Sequence, residues 1–383
     1  MRTRVAPAAI TVCGLVSGCL PGTDGSSGIT SPPSGGNQTI VTYEVVYAGS
    51  SHGCALVNGG KAFCWGTGGD LGDGTQMSSV TPVRVQGPQT FRVLDVATFT
   101  CGVSTNDQVW CWGDNTAGRL GDGTSDHRAL PTAVLTGLRF SQVTTGAVHT
   151  CGLSLDGEVQ CWGSNRFSQL VGHSDTLSLV PVPMAPGRTF AQVEAGGLRT
   201  CALDPAGAAH CWGQGFSAGI QPIAGGVVFD QISVGDEHVC GLAPDGEAWC
   251  FGQNFDGQLG DGGFVETALG GPPVRVDTDL RFSVISAGHS HTCAVTTGGL
   301  AYCWGRDTFG QLGDGDPLNG TDPTEKPLPT PVIVPNTFIR FRSVSAGELT
   351  SCGADQNGKG YCWGFGTGNA SANSSTKAVE LGS

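Results

Sequence analysis

Charge is scarce in this sequence. Asp, Glu, Lys and Arg make up 13% of its 383 residues, about half the usual share. Basic residues are scarcer still, 19 against 32 acids, for a formal net charge of −13. That balance argues against the Lys/Arg-rich face that neutralises nucleic-acid phosphates, so no nucleic acid is expected as a partner. It also disfavours plain electrostatic docking on anionic lipid. No run of 18 apolar residues occurs, so no segment is expected to cross a bilayer as a helix. Walker loops and dinucleotide fingerprints are absent as well, and no cofactor is expected. What the chain has in excess is glycine, 63 residues, about twice the usual share. With 39% apolar residues to build a core, the composition predicts many short strands and tight turns, an all-β fold.

The first residues read as a processing signal. Arg2 and Arg4 precede an apolar stretch from Val5 to Val16, too short to span a bilayer. It runs into Val16-Ser17-Gly18-Cys19, which resembles the bacterial lipobox cut before a cysteine that becomes lipid-modified. Residues 1–18 are therefore expected to be a lipoprotein signal peptide and Cys19 the lipidation site. Residues 19–40 then form a flexible tether rich in Gly, Ser, Thr and Pro. No Asp follows Cys19 directly, so the expected address is the outer membrane or cell surface, with the lipid as the membrane attachment.

Cysteine recurs with a fixed spacing. Seven pairs stand ten residues apart: Cys54 with Cys64, Cys101 with Cys111, Cys151 with Cys161, Cys201 with Cys211, Cys240 with Cys250, Cys293 with Cys303, and Cys352 with Cys362. Their first members follow one another at intervals of 47, 50, 50, 39, 53 and 59 residues, a period suited to propellers and arrays. An aromatic stands ten or eleven residues before each first cysteine, and Trp-Gly follows the second in six repeats. The spacing of ten has a geometric reading. A three-residue hairpin loop ends in a left-handed residue, and glycine stands there in six repeats, with Asp107 in the other. With Leu155-Asp156-Gly157 as the loop, Ser154 pairs with Glu158 and Cys151 falls opposite Cys161. That is a non-hydrogen-bonded pair, close enough for a cross-strand disulfide.

Other chemistry competes with that reading. His52, His149, His238 and His291 stand two before a first cysteine and could suggest zinc, but Phe99, Arg199 and Thr350 take that place elsewhere. Blades lie about 10 Å apart, too far for equivalent histidines to share an ion. No metal is expected, and the histidines are expected to be hydrogen-bonded fold residues. Gly49-Ser50-Ser51-His52-Gly53 matches a hydrolase elbow, yet it occupies the register of repeats without that serine. Asp73, Asp122, Asp261 and Asp314 lack the oxygen-ligand spacing of a calcium loop and read as turn aspartates. No catalytic residue is assigned.

The segments "CWGDNTAGRLGDGT" from Cys111, "GQNFDGQLGDG" from Gly252 and "CWGRDTFGQLGDG" from Cys303 resemble the regulator of chromosome condensation repeat family, in its exported, cysteine-paired form. The fourth repeat departs from the pattern, lacking Gln-Leu-Gly between Cys211 and Phe229, and the seventh is degraded. The resemblance implies a seven-bladed β-propeller over residues 41–383. Thr376–Leu381 follows the last Trp-Gly with no aromatic strand after it, so this C-terminal strand is expected to close the ring against the N-terminal strand. The functional expectation is a monomeric, non-enzymatic module that binds an exported or surface protein, or a glycan, through its loops. An exported hydrolase or lyase is the alternative. Guanine-nucleotide exchange, the activity of the founding family member, fits an exported chain poorly. The longest interval carries a proline-rich insertion, Asp316–Pro329, whose Asp316, Asn319, Asp322, Glu325 and Lys326 form the candidate binding loop.

Overall fold

Seven antiparallel sheets of four strands each make up the computed structural model, which describes residues 42–67, 70–216, 219–317, 325–366 and 374–381. Every sheet takes its four strands consecutively from the chain. The first runs Tyr43–Ala48, His52–Val57, Lys61–Gly66 and Ser79–Arg84. The expected seven-bladed propeller is thus present. Among the described residues the one helical element is a 3-10 turn at Thr116–Gly118.

Burial follows from the stacking of blades. A second strand is covered on both faces by neighbouring blades, and all of His52–Val57, Phe99–Ser104, His149–Ser154 and His291–Thr296 is buried. The outer strand Ser79–Arg84 has no buried residue. Each interface between blades holds one apolar cluster. Between the first and second blades, Cys54, Leu56, Cys64 and Leu71 of one side meet Phe91, Leu94 and Trp112 of the other.

The hairpin register is the one the spacing requires. Cys151 faces Cys161 and Leu153 faces Val159, while Ser154 N–H donates to the Glu158 carbonyl at 2.9 Å. Gly157 has φ +80° and Asp107 φ +62°, the left-handed conformation that the loop needs at its last position. The same register holds in the fifth blade, where Cys240 faces Cys250 although Phe251 replaces the tryptophan that follows elsewhere. All seven disulfides form, Cys240 to Cys250 included, with Cα atoms 4.0–4.1 Å apart.

Ring closure differs from expectation. Ser375–Glu380 is the outer strand of the seventh sheet, paired with Gly360–Gly364, whereas Tyr43–Ala48 pairs with His52–Val57. The outer strand that precedes an inner aromatic strand, such as Ser79–Arg84 before Phe91 or Val274–Arg275 before Phe282, ends the previous blade, so each blade is complete within one repeat and among the described residues no strand is shared. Packing joins the first and last blades instead. Tyr43, Val46 and Trp65 share a cluster with Cys352, Ala354, Cys362 and Leu381. Tyr43 N–H donates to the Gly358 carbonyl at 2.7 Å, and Ala48 N–H to Ser345 Oγ at 3.0 Å.

Candidate functional site

Inner strands of all seven blades surround an axial cavity of about 440 Å³. A belt of hydrogen bonds runs round it. The residue six or seven positions before each first cysteine accepts from a backbone N–H of the next blade. Thr144 Oγ1 accepts from Ala195 at 2.8 Å, Ser233 Oγ from Ala287 at 2.9 Å, Ser286 Oγ from Ala346 at 2.9 Å, and Ser345 Oγ from Ala48. Tyr47 and Asp95 do the same toward Leu94 and Thr145. Glu194 is the exception. Gln192 takes its place, accepting from Ile232 N–H at 2.9 Å, and Glu194 accepts instead from Gln192 Nε2 at 3.0 Å. Burial, reinforced by the Asp95 charge, pushes the Glu194 carboxyl up to about 8; burial pushes Asp95 up to about 6.

At the end of the cavity where inner strands turn into second strands, the lining becomes ionic. His289 Nδ1 meets Asp236 Oδ2 at 2.7 Å across the fifth and sixth blades. That hydrogen bond raises the imidazole above its ordinary value. Burial works to raise Asp236, but its bond to His289 outweighs it and the carboxyl is held below the usual range. Glu237 and Glu348 add further negative charge beside His289. A carboxylate-oriented imidazole of this kind can accept or release a proton.

The candidate binding loop rises from the same end of the ring as this mouth, because third and outer strands are joined on that side. Only part of it lies within the described residues: Asn319 and Asp322 fall outside them, as do Cys19 and the whole of residues 1–41. Glu325 and Lys326 are not loop residues. They begin the outer strand Glu325–Pro331, opposite Arg306 and Gly305. Lys326 Nζ reaches Asp316 Oδ2 at 2.6 Å and Asp314 Oδ2 at 3.8 Å, tying down the base of the insertion.

Models of the regulator of chromosome condensation (RCC1) repeat match residues 106–153, 245–295 and 298–353, and again 140–169, 229–258 and 282–311. The chain belongs to the RCC1 repeat family. The human E3 ubiquitin-protein ligase HERC2 is 35% identical over 96 residues, 23% of this chain and 2% of that protein. The ultraviolet-B receptor UVR8 of Arabidopsis thaliana is 31% identical over 113 residues, 27% of this chain and 25% of the receptor. The chain therefore spans a small part of the curated relatives it matches. Yeast RCC1 (Prp20), in its crystal structure bound to Kap60, has a TM-score of 0.73 at 22% identity, covering 90% of this chain and 84% of that one. That likeness is one of fold.

The recurrent Gln-Leu-Gly of the RCC1 repeat here has a definite mechanical role. Its first residue turns a carbonyl toward the next blade. The Gln258 carbonyl accepts from Thr292 Oγ1 at 2.9 Å and Trp304 Nε1 at 3.0 Å, and the Arg119 carbonyl from Thr150 Oγ1 at 2.7 Å and Trp162 Nε1 at 2.9 Å. Gly260, with φ +73°, lies so close that a Cβ would stand 2.7 Å from Trp304 Nε1. Having donated its proton, the Thr292 hydroxyl accepts from His238 Nε2 at 2.7 Å; Ser351 likewise donates to Gln311 and accepts from His291 at 2.8 Å. His52 and His149 meet Thr100 and Thr200 at 2.7 Å. Each histidine thus serves a different blade interface. Burial pushes His52 and His149 down to about 4, and His238 and His291 to about 3, so all four are neutral at pH 7.

Where the fourth repeat lacks its Gln-Leu-Gly, the fifth blade lacks what that carbonyl would serve. Val239 replaces the hydroxyl and Phe251 the tryptophan. Arg199 replaces the histidine. It is buried beside the charges of Asp236 and Glu237, and its Nε and Nη1 have no hydrogen-bond partner. Asp95, Glu194, Arg199, Asp236 and His289 were not singled out from sequence. The available signal was that Asp95, Glu194 and Arg199 break the type most common at their repeat position, whereas Asp236 and His289 stand at a position of no fixed type, four before the first cysteine.

Proposed function

We propose that this chain is an exported, non-enzymatic binding module that captures a protein through the face holding the channel mouth and the insertion. Seven disulfides suit an oxidising compartment, and the Arg-then-apolar start ending at Cys19 supports export with a lipid tether at the outer membrane or surface. One observation carries the capture reading: the loops of that face expose Phe167, Phe255, Phe264 and Phe365 on a stapled ring. Exposed aromatics rimmed by polar groups mark interaction sites.

A photo-crosslinking residue at Phe255 on intact cells tests this. Its partner should not be trapped from position 357, on the hairpins of the opposite face. Equal trapping from both positions, or none from 255, overturns the reading. The Cys19→Ser variant should leave the membrane fraction; its retention there, with a mature N-terminus elsewhere, would remove the tether. A second reading, an exported hydrolase or lyase, is favoured by the His289–Asp236 pair beside Glu237 and Glu348. It predicts substrate turnover that His289→Ala abolishes while the fold survives.

A further inference from the structure

Resting on the capture reading, we propose that the captured segment is cationic: a Lys/Arg-rich stretch of a protein, laid across the aromatic loops at the mouth of the channel. The charges on the two faces carry this. On the mouth face, most basic side chains are already committed. Arg119 and Arg199 are buried; Arg128 is paired with Asp122 at 2.6 Å, and Lys326 with Asp316. Arg306 Nε donates to Thr308 Oγ1, which leaves Arg166 and Lys377 exposed. The acids there are outward: Asp126, Asp175, Glu266 and Glu348 are exposed.

The opposite face is balanced. Arg92 pairs with Asp107, Arg275 and Arg281 with Glu247, and Lys359 with Glu380, while exposed Lys61, Arg84, Arg139, Arg188 and Arg342 are matched by exposed Asp156, Asp230, Asp245, Asp277 and Asp279. The chain's negative excess therefore concentrates on the face that carries Phe167, Phe255, Phe264 and Phe365, although one exposed phenylalanine, Phe338, lies on the other. Phe255 is 64% exposed and Phe264 49%, and their ring faces attract ammonium and guanidinium groups. The acids steer such a segment in, and the rings hold it. An acidic protein would meet like charge, and an anionic membrane the same repulsion.

The test uses the full chain and two fluorescein-labelled dodecapeptides, one Lys/Arg-rich and one Asp/Glu-rich, followed by fluorescence anisotropy. The basic peptide should bind, and weaken roughly tenfold as salt rises from about 50 to 300 mM. Phe255→Ser with Phe264→Ser should weaken it about tenfold; both side chains are exposed, so melting should be unchanged. Glu266→Gln with Glu348→Gln should weaken it about threefold and flatten the salt dependence. Lys61→Gln should leave binding unaltered. Absence of basic-peptide binding, equal binding by face variants and Lys61→Gln, or preference for the acidic peptide or for anionic vesicles each overturns the proposal. The cross-linking experiment separates the two claims: a partner trapped at Phe255 through a non-basic segment refutes the charge proposal and spares capture, whereas trapping from the opposite face refutes both.

Discussion

Glu194 stands where Thr144, Ser233, Ser286 and Ser345 each accept a hydrogen bond from the next blade, and it accepts none from the fifth. Its carboxyl is raised to about 8 against an ordinary 4.5. A raised acid contributes most at pH below its unfolded value, and the contribution disappears as pH climbs through the folded value. Glu194→Gln, which keeps the neutral shape, should therefore raise the melting temperature at pH 9 by about 5 °C and change it little at pH 4. Differential scanning calorimetry at the two pH values checks this; equal shifts would show that Glu194 is not held neutral. Such residues were invisible in the sequence for a physical reason. A Glu at a repeat position held elsewhere by Ser, Thr, Tyr and Asp reads as a surface substitution until the channel is seen to enclose it. The histidines lay at the other extreme, marked by recurrence.

Hairpins were the most legible elements, because a disulfide, a three-residue loop and a left-handed glycine all constrain one register. Thiol titration of denatured, unreduced mature protein should find no free thiol and no stoichiometric zinc; several reactive thiols would contradict the seven pairs. Each pair closes a short loop, contributing about 2–3 kcal/mol on the chain-entropy estimate. Sheet membership was less legible. Pro82–Val85 and Phe91 are neighbours in the chain but belong to different blades, since the strand before a turn on the outer rim and the strand after it do not pair. The missing Gln-Leu-Gly of the fourth repeat was visible, but its link to Val239 and Phe251 needed the carbonyl's direction. Phe251→Trp would bury an indole N–H where no such carbonyl waits among the described residues, and should lower stability by about 1–3 kcal/mol. A falling urea midpoint with unchanged slope is the expected readout; an unchanged midpoint would mean another acceptor serves that site.

At the scale of the molecule, the ring is electrically lopsided but places an apolar cluster at every blade interface. The seventh-to-first interface has the same apolar core as the first-to-second, a second-strand and third-strand cysteine pair on one side, an inner-strand aromatic and a tryptophan on the other, although Thr350 and Gly53 stand where other junctions have a histidine and a hydroxyl. Propellers that lock shut by lending a strand across the junction have a clasp, and opening them elsewhere destroys it. This ring has no clasp among its described residues. Leu381 already packs beside Tyr43, so the two ends can be joined by a short Gly/Ser linker and the chain recut between any two blades, for instance between Gly137 and Leu138. Such a circular permutant should still form all seven sheets and melt within a few degrees of the parent. If only the native order folds, the seam carries something the other six junctions do not.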